Sequence, residues 1–284
     1  MTALLKPLEL LWRGVNRLRR ALYRHGIHKP RRLPRPVVSI GNLAAGGAGK
    51  TPAVITIARY LTRRGFRVAI LTRGYGRSGS ATGVVTSLDA SRFGDEPVLL
   101  KTKLRNIDVI VGSKRYVNAA QFLNQNDCDL FILDDGFQHL QLARDVDVVV
   151  DAGRGVMREG RSALADADFV IPRNLRLTVP EQLTSRRLFA FAGLADNEQF
   201  FASLRTDGLD VAGTMGFRDH HAYRARDIAA IKEAARAAGA DAIVTTEKDA
   251  VKIDDRDIIA VAAEMIVEPA ILEGIAAKIS GLVD

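Results

Sequence analysis

The chain has 284 residues, 47% of them apolar and 26% charged, which excludes a largely disordered protein and leaves room for two compact lobes. A single cysteine, Cys128, excludes a disulfide framework or a Cys-rich zinc site and points to a reducing compartment, and no apolar run is long enough for a polytopic membrane protein. The net charge is +8, but ten basic side chains against Glu9 alone fall within residues 1–35, so the basicity belongs to one terminal segment attached to a nearly neutral body.

In that segment Leu4, Leu8, Leu11, Val15, Leu18 and Leu22 recur at alternating spacings of four and three, the stripe of one helix face. Lys6, Arg13, Arg17, Arg20 and Arg24 recur on the opposite face, and Trp12 lies beside the apolar stripe. Such a helix suits the plane of an anionic membrane surface without spanning it. The rival reading docks it on the protein's own core with its basic face in solvent. Charges interrupt the apolar stretch and no small-residue cleavage site follows, which argues against a secretory signal.

From Pro36 onward short β-branched runs alternate with helical stretches, the pattern of a mostly parallel sheet with helices on both faces. Strands are expected at 37–40, 68–71, 107–111, 130–133, 146–150 and 169–171, with helices at 50–64, 96–103 and 115–124. After a Pro-bearing stretch at 172–180 the alternation restarts, with strands at 188–191, 211–214, 242–246 and 258–261 and helices at 197–206, 225–238 and 269–279. The expected organisation is a basic amphipathic segment at 1–35, a first α/β lobe at 36–187 and a smaller α/β lobe at 188–284. No internal repeat or low-complexity tract occurs.

The strongest motif runs from the apolar strand at Val37 through a loop of Ala44, Ala45, Gly46, Gly47, Ala48 and Gly49 into Lys50 and Thr51. Glycines allow the backbone N–H groups and a helix N-terminus to face phosphate oxygens, the lysine reaches the terminal phosphates, and the threonine hydroxyl ligates Mg²⁺. The strict pattern asks for glycine where Ala44 stands, so this is a variant of the phosphate-binding loop. Such a loop needs a carboxylate at the end of a nearby strand to hold the metal, and Asp134 and Asp135 follow the apolar run Leu130–Leu133 where that strand emerges.

Together with Gly41-Asn42, Thr72-Arg73-Gly74-Tyr75-Gly76, Gly94-Asp95-Glu96-Pro97, Asp134-Asp135-Gly136-Phe137-Gln138-His139, Met157-Arg158-Glu159, Phe217-Arg218-Asp219-His220-His221 and Thr246-Glu247-Lys248-Asp249-Ala250-Val251-Lys252, the chain resembles the tetraacyldisaccharide 4'-kinases that phosphorylate the lipid A precursor. The resemblance implies a P-loop NTPase-like first lobe, a second α/β lobe across the active site, and an amphipathic, membrane-associating amino terminus. It implies transfer of the γ-phosphoryl group of ATP, with Mg²⁺, to the 4'-hydroxyl of an acylated glucosamine disaccharide 1-phosphate, at the cytoplasmic face of the bacterial inner membrane. No nucleic-acid partner and no obligate protein partner are implied. By position, Asp95 is the implied catalytic base and His220 its partner, Asp134, Asp135 and Glu159 serve the metal, and Arg73, Tyr75, Arg115 and His139 line the substrate side.

Read from the residues alone, Asp95 fits a helix N-cap before Glu96-Pro97, and His220 fits a solvated loop histidine. Relative to the family, a Gly- and Pro-containing stretch between Asp151 and the Arg-Glu pair is absent, which leaves Glu159 on a shortened loop. Two rivals remain: a membrane-associated switch ATPase of the partitioning or metal-delivery type, which typically has a lysine where Ala45 stands, and a basic-tailed nucleic-acid module, for which the body offers no aromatic-interleaved basic patch. Thr246–Lys252 carry no chemistry that the sequence alone reveals.

Overall fold

The computed structural model describes residues 6–45, 49–75, 82–153 and 156–283. Helix α1 (Lys6–Arg24) precedes β1 (Val37–Asn42), β2 (Ala44–Ala45), α2 (Lys50–Arg63), β3 (Val68–Thr72), β4 (Gly83–Val84), α3 (Ala90–Phe93), α4 (Asp95–Lys103), β5 (Asp108–Val111), α5 (Arg115–Leu123) and β6 (Leu130–Asp134). There follow β7 (Val146–Asp151), β8 (Val156–Met157), β9 (Phe169–Pro172), β10 (Leu175–Thr178), β11 (Arg187–Ala192), α6 (Asn197–Thr206), β12 (Asp210–Gly216), α7 (Ala225–Ala237), β13 (Ala242–Thr246), α8 (Glu247–Ala250), β14 (Ile258–Met265) and α9 (Pro269–Val283).

The first sheet has the order β4-β5-β3-β6-β1-β7-β9, parallel except for the short edge strand β4. Its central strands are buried on both faces, which is why they read as continuous apolar runs rather than alternating ones. One face is covered by α2, α4 and α9, through residues such as Ile57, Leu61, Leu100 and Ile275. The other is covered by α5 and the approach to β1, through Leu33, Ala119 and Phe122.

The second sheet has the order β10-β14-β13-β11-β12, parallel except for β10, with α6 on one face and α7 on the other. The change of sheet falls between β9 and β10, ahead of the position near Arg187 expected from the sequence. Leu175–Thr178 alternates like a strand but lies inside the Pro-bearing stretch, and its pairing with β14 is long-range. Helix α9 also departs from the expected division. It returns to the first sheet, where Ile275, Ala276 and Ile279 pack with Val148 and Ile171.

The two lobes meet on the phosphate-loop helix. Thr56 Oγ1 donates to the Met265 carbonyl at 3.1 Å, and a Cβ on Gly49 would come within 2.7 Å of Met265 Cε. Gly49 also has φ +83°, so the turn into α2 suits glycine on both counts. Lys103 Nζ to Glu247 Oε1, at 2.6 Å, is a second link, joining α4 to α8.

Candidate active site

Strand β1 lies between β6 and β7, so its carboxyl end, the loop after it and the end of β6 share one rim of the sheet. Lys50 opens α2 and its Nζ donates to Asn42 Oδ1 at 3.2 Å; it also lies 3.3 Å from Asp135 Oδ1. Thr51 occupies the first turn of the same helix, followed by Pro52 where a missing N–H leaves no helical bond unmade. Ala44 and Ala45 form β2, paired antiparallel with Met157 and Val156. Gly46, Gly47 and Ala48 lie outside the described residues.

Asp134 ends β6, is buried, and accepts the Thr72 hydroxyl at 2.8 Å. Burial, together with the charges of Glu96 and Asp135, pushes its carboxyl well above the usual range. Asp135 adopts a left-handed backbone, φ +51°. Despite the burial that opposes its ionisation, Lys50 and Arg158 hold it below the usual range. Its buried Oδ1 accepts no aligned hydrogen bond, and Oδ2 lies 3.4 Å from Arg158 Nη1. Arg158 was not among the residues expected to act. It arrives because the β2–β8 ribbon continues with its N–H donating to the Leu43 carbonyl at 2.7 Å.

Glu159 does not join these carboxylates. Its Oε2 accepts Arg20 Nε at 2.6 Å, and among the described residues no three His, Cys, Asp or Glu side chains converge to hold a metal. Arg158, rather than Glu159, thus reaches Asp135. Arg20 also donates to the Phe137 carbonyl at 3.0 Å, and its guanidinium lies 4.1 Å from the Phe137 ring centre.

Asp95 sits at the first position of α4, after Gly94, whose φ is +96° and whose Cβ would strike the Tyr75 carbonyl at 2.8 Å. Asp95 is only 2% exposed. Its Oδ1 accepts the Glu96 N–H at 2.9 Å, so the helix-end role suggested by sequence is partly real, although Gly94 holds the N-cap position. The same carboxylate meets His220 Nδ1 at 2.9 Å, with Lys252 Nζ at 3.7 Å and Lys248 Nζ at 4.0 Å. Burial alone would raise Asp95; the His220 hydrogen bond and the two ammonium groups more than offset it and leave the carboxyl below its usual range. Conversely, the Asp95 hydrogen bond raises His220 above its ordinary value against burial and the Lys248 charge. His220 has φ +57° on a turn after β12, not the free loop geometry of a solvated histidine.

Arg73 and Tyr75 follow β3 on the exposed side, and the Tyr75 ring centre is 5.5 Å from that of His220. Arg115 opens α5 and is buried, with its Nε lacking a hydrogen-bond partner. His139 is pushed down to about 4 by burial and by Arg115, Arg144, Arg73 and Arg19, so it is neutral among cations. Arg73, Arg115 and His139 thus gather beside the aspartates, while Tyr75 lies with His220.

The model of the tetraacyldisaccharide-1-phosphate 4'-kinase family matches residues 1–182 and 172–280. The chain belongs to that family. Curated tetraacyldisaccharide 4'-kinases from Pelobacter propionicus and Geobacter metallireducens are each 38% identical to it, over 89% and 88% of this chain and 83% and 88% of theirs. A crystal structure of LpxK from Aquifex aeolicus in complex with ATP superposes with a TM-score of 0.78 at 27% identity, over 99% of both chains. The P-loop kinase fold is the shared architecture, and the chain is a kinase rather than a switch ATPase.

Proposed function

We propose that this kinase transfers the γ-phosphoryl group of ATP to the 4'-hydroxyl of a tetraacyl glucosamine disaccharide 1-phosphate, giving lipid IVA, with Asp95 and His220 taking the hydroxyl proton. The observation that carries this reading is the Asp95–His220 contact at 2.9 Å between two lobes, beside a phosphate loop whose lysine is already oriented. In the transfer the 4'-oxygen forms a bond to the γ-phosphorus, the bond to the bridging oxygen breaks with its electron pair leaving on ADP, and the hydroxyl proton passes to the Asp95–His220 pair.

Residues 44–51 cradle the phosphates, with Lys50 neutralising charge that develops on the transferred group. Asp135 Oδ1, buried and 3.3 Å from Lys50 without an aligned hydrogen bond, and the raised carboxyl of Asp134 fit a cation, and with Thr51 they would hold Mg²⁺. When bound, Mg²⁺ supplies neutralisation of the β- and γ-phosphate oxygens. Arg158 screens Asp135 at the same place, whereas Glu159 is engaged by Arg20. The cationic cluster of Arg73 and Arg115 around neutral His139, with an unpartnered guanidinium N–H, suits an anionic head group, and Tyr75 suits the sugar beside His220.

Helix α1 supports a membrane-surface location at the cytoplasmic face of the inner membrane. No described helix is long and apolar enough to cross a membrane. Trp12, Val15 and Leu18 are nevertheless 55%, 46% and 62% exposed, while Arg20 is turned onto the body. The outward placement of these three side chains supports membrane contact over docking through the apolar face. Incubating the protein with γ-labelled ATP and the disaccharide lipid, followed by thin-layer separation, tests the assignment. Label on the lipid supports it; label released to water or retained on ATP refutes it.

A further inference from the structure

The segment Thr246–Lys252, silent in the sequence, lies against the Asp95–His220 pair. Strand β13 ends at Thr246, whose side chain caps α8 by accepting the Asp249 N–H. Asp249 is fully buried and takes three donors: the Gly193 N–H at 2.9 Å, Thr246 Oγ1 at 2.7 Å and Lys252 Nζ at 2.8 Å. This anchoring fixes α8 so that Lys248 points across the lobe boundary. Its ammonium lies 3.0 Å from Asp219 Oδ1, 3.6 Å from Glu96 Oε1 and 3.4 Å from His220 Nε2.

An ammonium group has only donors, so the 3.4 Å contact is a hydrogen bond only when His220 Nε2 carries a lone pair and accepts. The proton of a neutral imidazole then sits on Nδ1, the nitrogen that faces Asp95. We propose that Lys248 is a positioning residue of the Asp95–His220 pair, holding the outer imidazole nitrogen unprotonated so that the inner one donates to the carboxylate. The inference rests on reading that pair as the proton acceptor. A pair already carrying a second proton has nowhere to place the proton of the sugar hydroxyl, so the lysine also keeps the acceptor available.

The other groups facing His220 do not duplicate this. Asp95 and Glu96 come from α4, and Tyr75 contributes an aromatic face. Asp219, 3.8 Å from Nε2, favours protonation there and is itself bound by Lys248. Lys252 faces Asp95, Asp249 and the Tyr223 ring. Consistent with the geometry, the Lys248 charge opposes the rise that Asp95 imposes on His220.

The test measures kcat and both KM values between pH 6 and 9 for the full-length wild type, Lys248→Met, Lys248→Gln, Lys248→Arg, His220→Ala and the Lys248→Met/His220→Ala double variant, with thermal melting as the check on folding. At pH 7 Lys248→Met is expected to lower kcat by about tenfold to hundredfold, with the KM for ATP within about twofold. The deficit shrinks toward pH 9, Lys248→Arg restores most of it, and in the His220→Ala background the further loss is under about threefold. Lys248→Gln carries the same test should the methionine variant melt early. A deficit that does not change with pH, or one that multiplies the His220→Ala loss, refutes the role. Wild-type turnover in Lys248→Met and Lys248→Gln beside a crippled His220→Ala removes this inference alone, whereas wild-type turnover in His220→Ala removes the base assignment beneath it.

Discussion

Replacing Arg20 with alanine probes how α1 is held on the body. Arg20 and Glu159 have side chains 10% and 5% exposed and meet at 2.6 Å, so removing the guanidinium leaves a carboxylate with little water and without the cation bonded to it. Breaking a buried pair in this way costs about 3–5 kcal/mol. Lifting α1 admits water to Glu159 and caps the penalty, which places the effect near the lower figure of about 3 kcal/mol. Weaker tethers among the described residues include Asn16 Nδ2 to the Arg158 carbonyl at 3.0 Å, and Arg24 to Asp166 at 2.6 Å with the arginine 65% exposed, a surface pair worth under about 1 kcal/mol. No described residue of α1 belongs to the apolar core clusters, so the loss should appear as local opening rather than global unfolding. Hydrogen exchange should show amide protection across Lys6–Arg24 falling by about a hundredfold, with the melting temperature of the body moving by less than about 2 °C. An Arg20→Met/Glu159→Gln double variant should recover much of that protection, since it removes the stranded charge. Unchanged protection in α1, or a fall in melting temperature matching the whole 3 kcal/mol, about 6 °C or more, would show that this pair is not what docks the helix.

Lys50→Ala should reduce phosphoryl transfer by at least about a hundredfold while thermal melting changes little; turnover within about tenfold of wild type removes the phosphate-loop assignment. Deleting residues 2–24 should release the protein from anionic vesicles, and added salt should weaken binding of the intact chain; equal pelleting of the truncated form places membrane contact elsewhere. The Asp95–His220 contact should also show in stability against pH. His220 is raised, so its contribution is complete below an unfolded value of about 6.5 and fades as pH rises through the folded value, whereas depressed Asp95 contributes above about pH 4 and fades in more acid solution. Denaturation midpoints of wild type and His220→Ala should therefore differ most between about pH 4 and 6.5 and converge in base; a constant gap contradicts the ionic character of the contact.

Apart from the edge strands β4 and β10, the strands of both sheets were legible because their burial leaves β-branched runs such as Val146–Val150 with no competing helical period. The two-residue strands β2 and β8 were not, because two residues carry no periodicity and their pairing depends on a loop reversal. Strand β10 was hidden by flanking prolines, and the return of α9 to the first sheet is a tertiary choice that a helical pattern does not encode. Of the site, Lys50 and Asp134 followed from local pattern, and Asp95 with His220 required the family resemblance because they are 125 residues apart. Lys248 had a usable signal: Lys248 and Lys252 are four apart after a strand, the spacing of neighbours on a helix face, and Lys248 in α8 and Lys252 in the turn after it both face Asp95, but that target lies in the other lobe.

The position of Glu159 links the amino-terminal helix to the phosphate site. Residues 158 and 159 leave the β2–β8 ribbon consecutively, one side chain toward Asp135 and the other toward Arg20, while the Arg158 carbonyl accepts Asn16. Helix α1 thus grips the backbone and a side chain of the same short segment that supplies a cation to Asp135. Because Trp12, Val15 and Leu18 project away from that grip, apolar contact with lipid does not compete with it. Under the proposed membrane reading, the acyl chains remain in the bilayer, and the helix fixes the height and tilt of the catalytic rim relative to the head group. Positioning is the principal means available to a phosphoryl-transfer enzyme whose transition state asks for little covalent help, so a local loss at Arg20 should reach kcat through Arg158 even though no described residue of α1 belongs to the core.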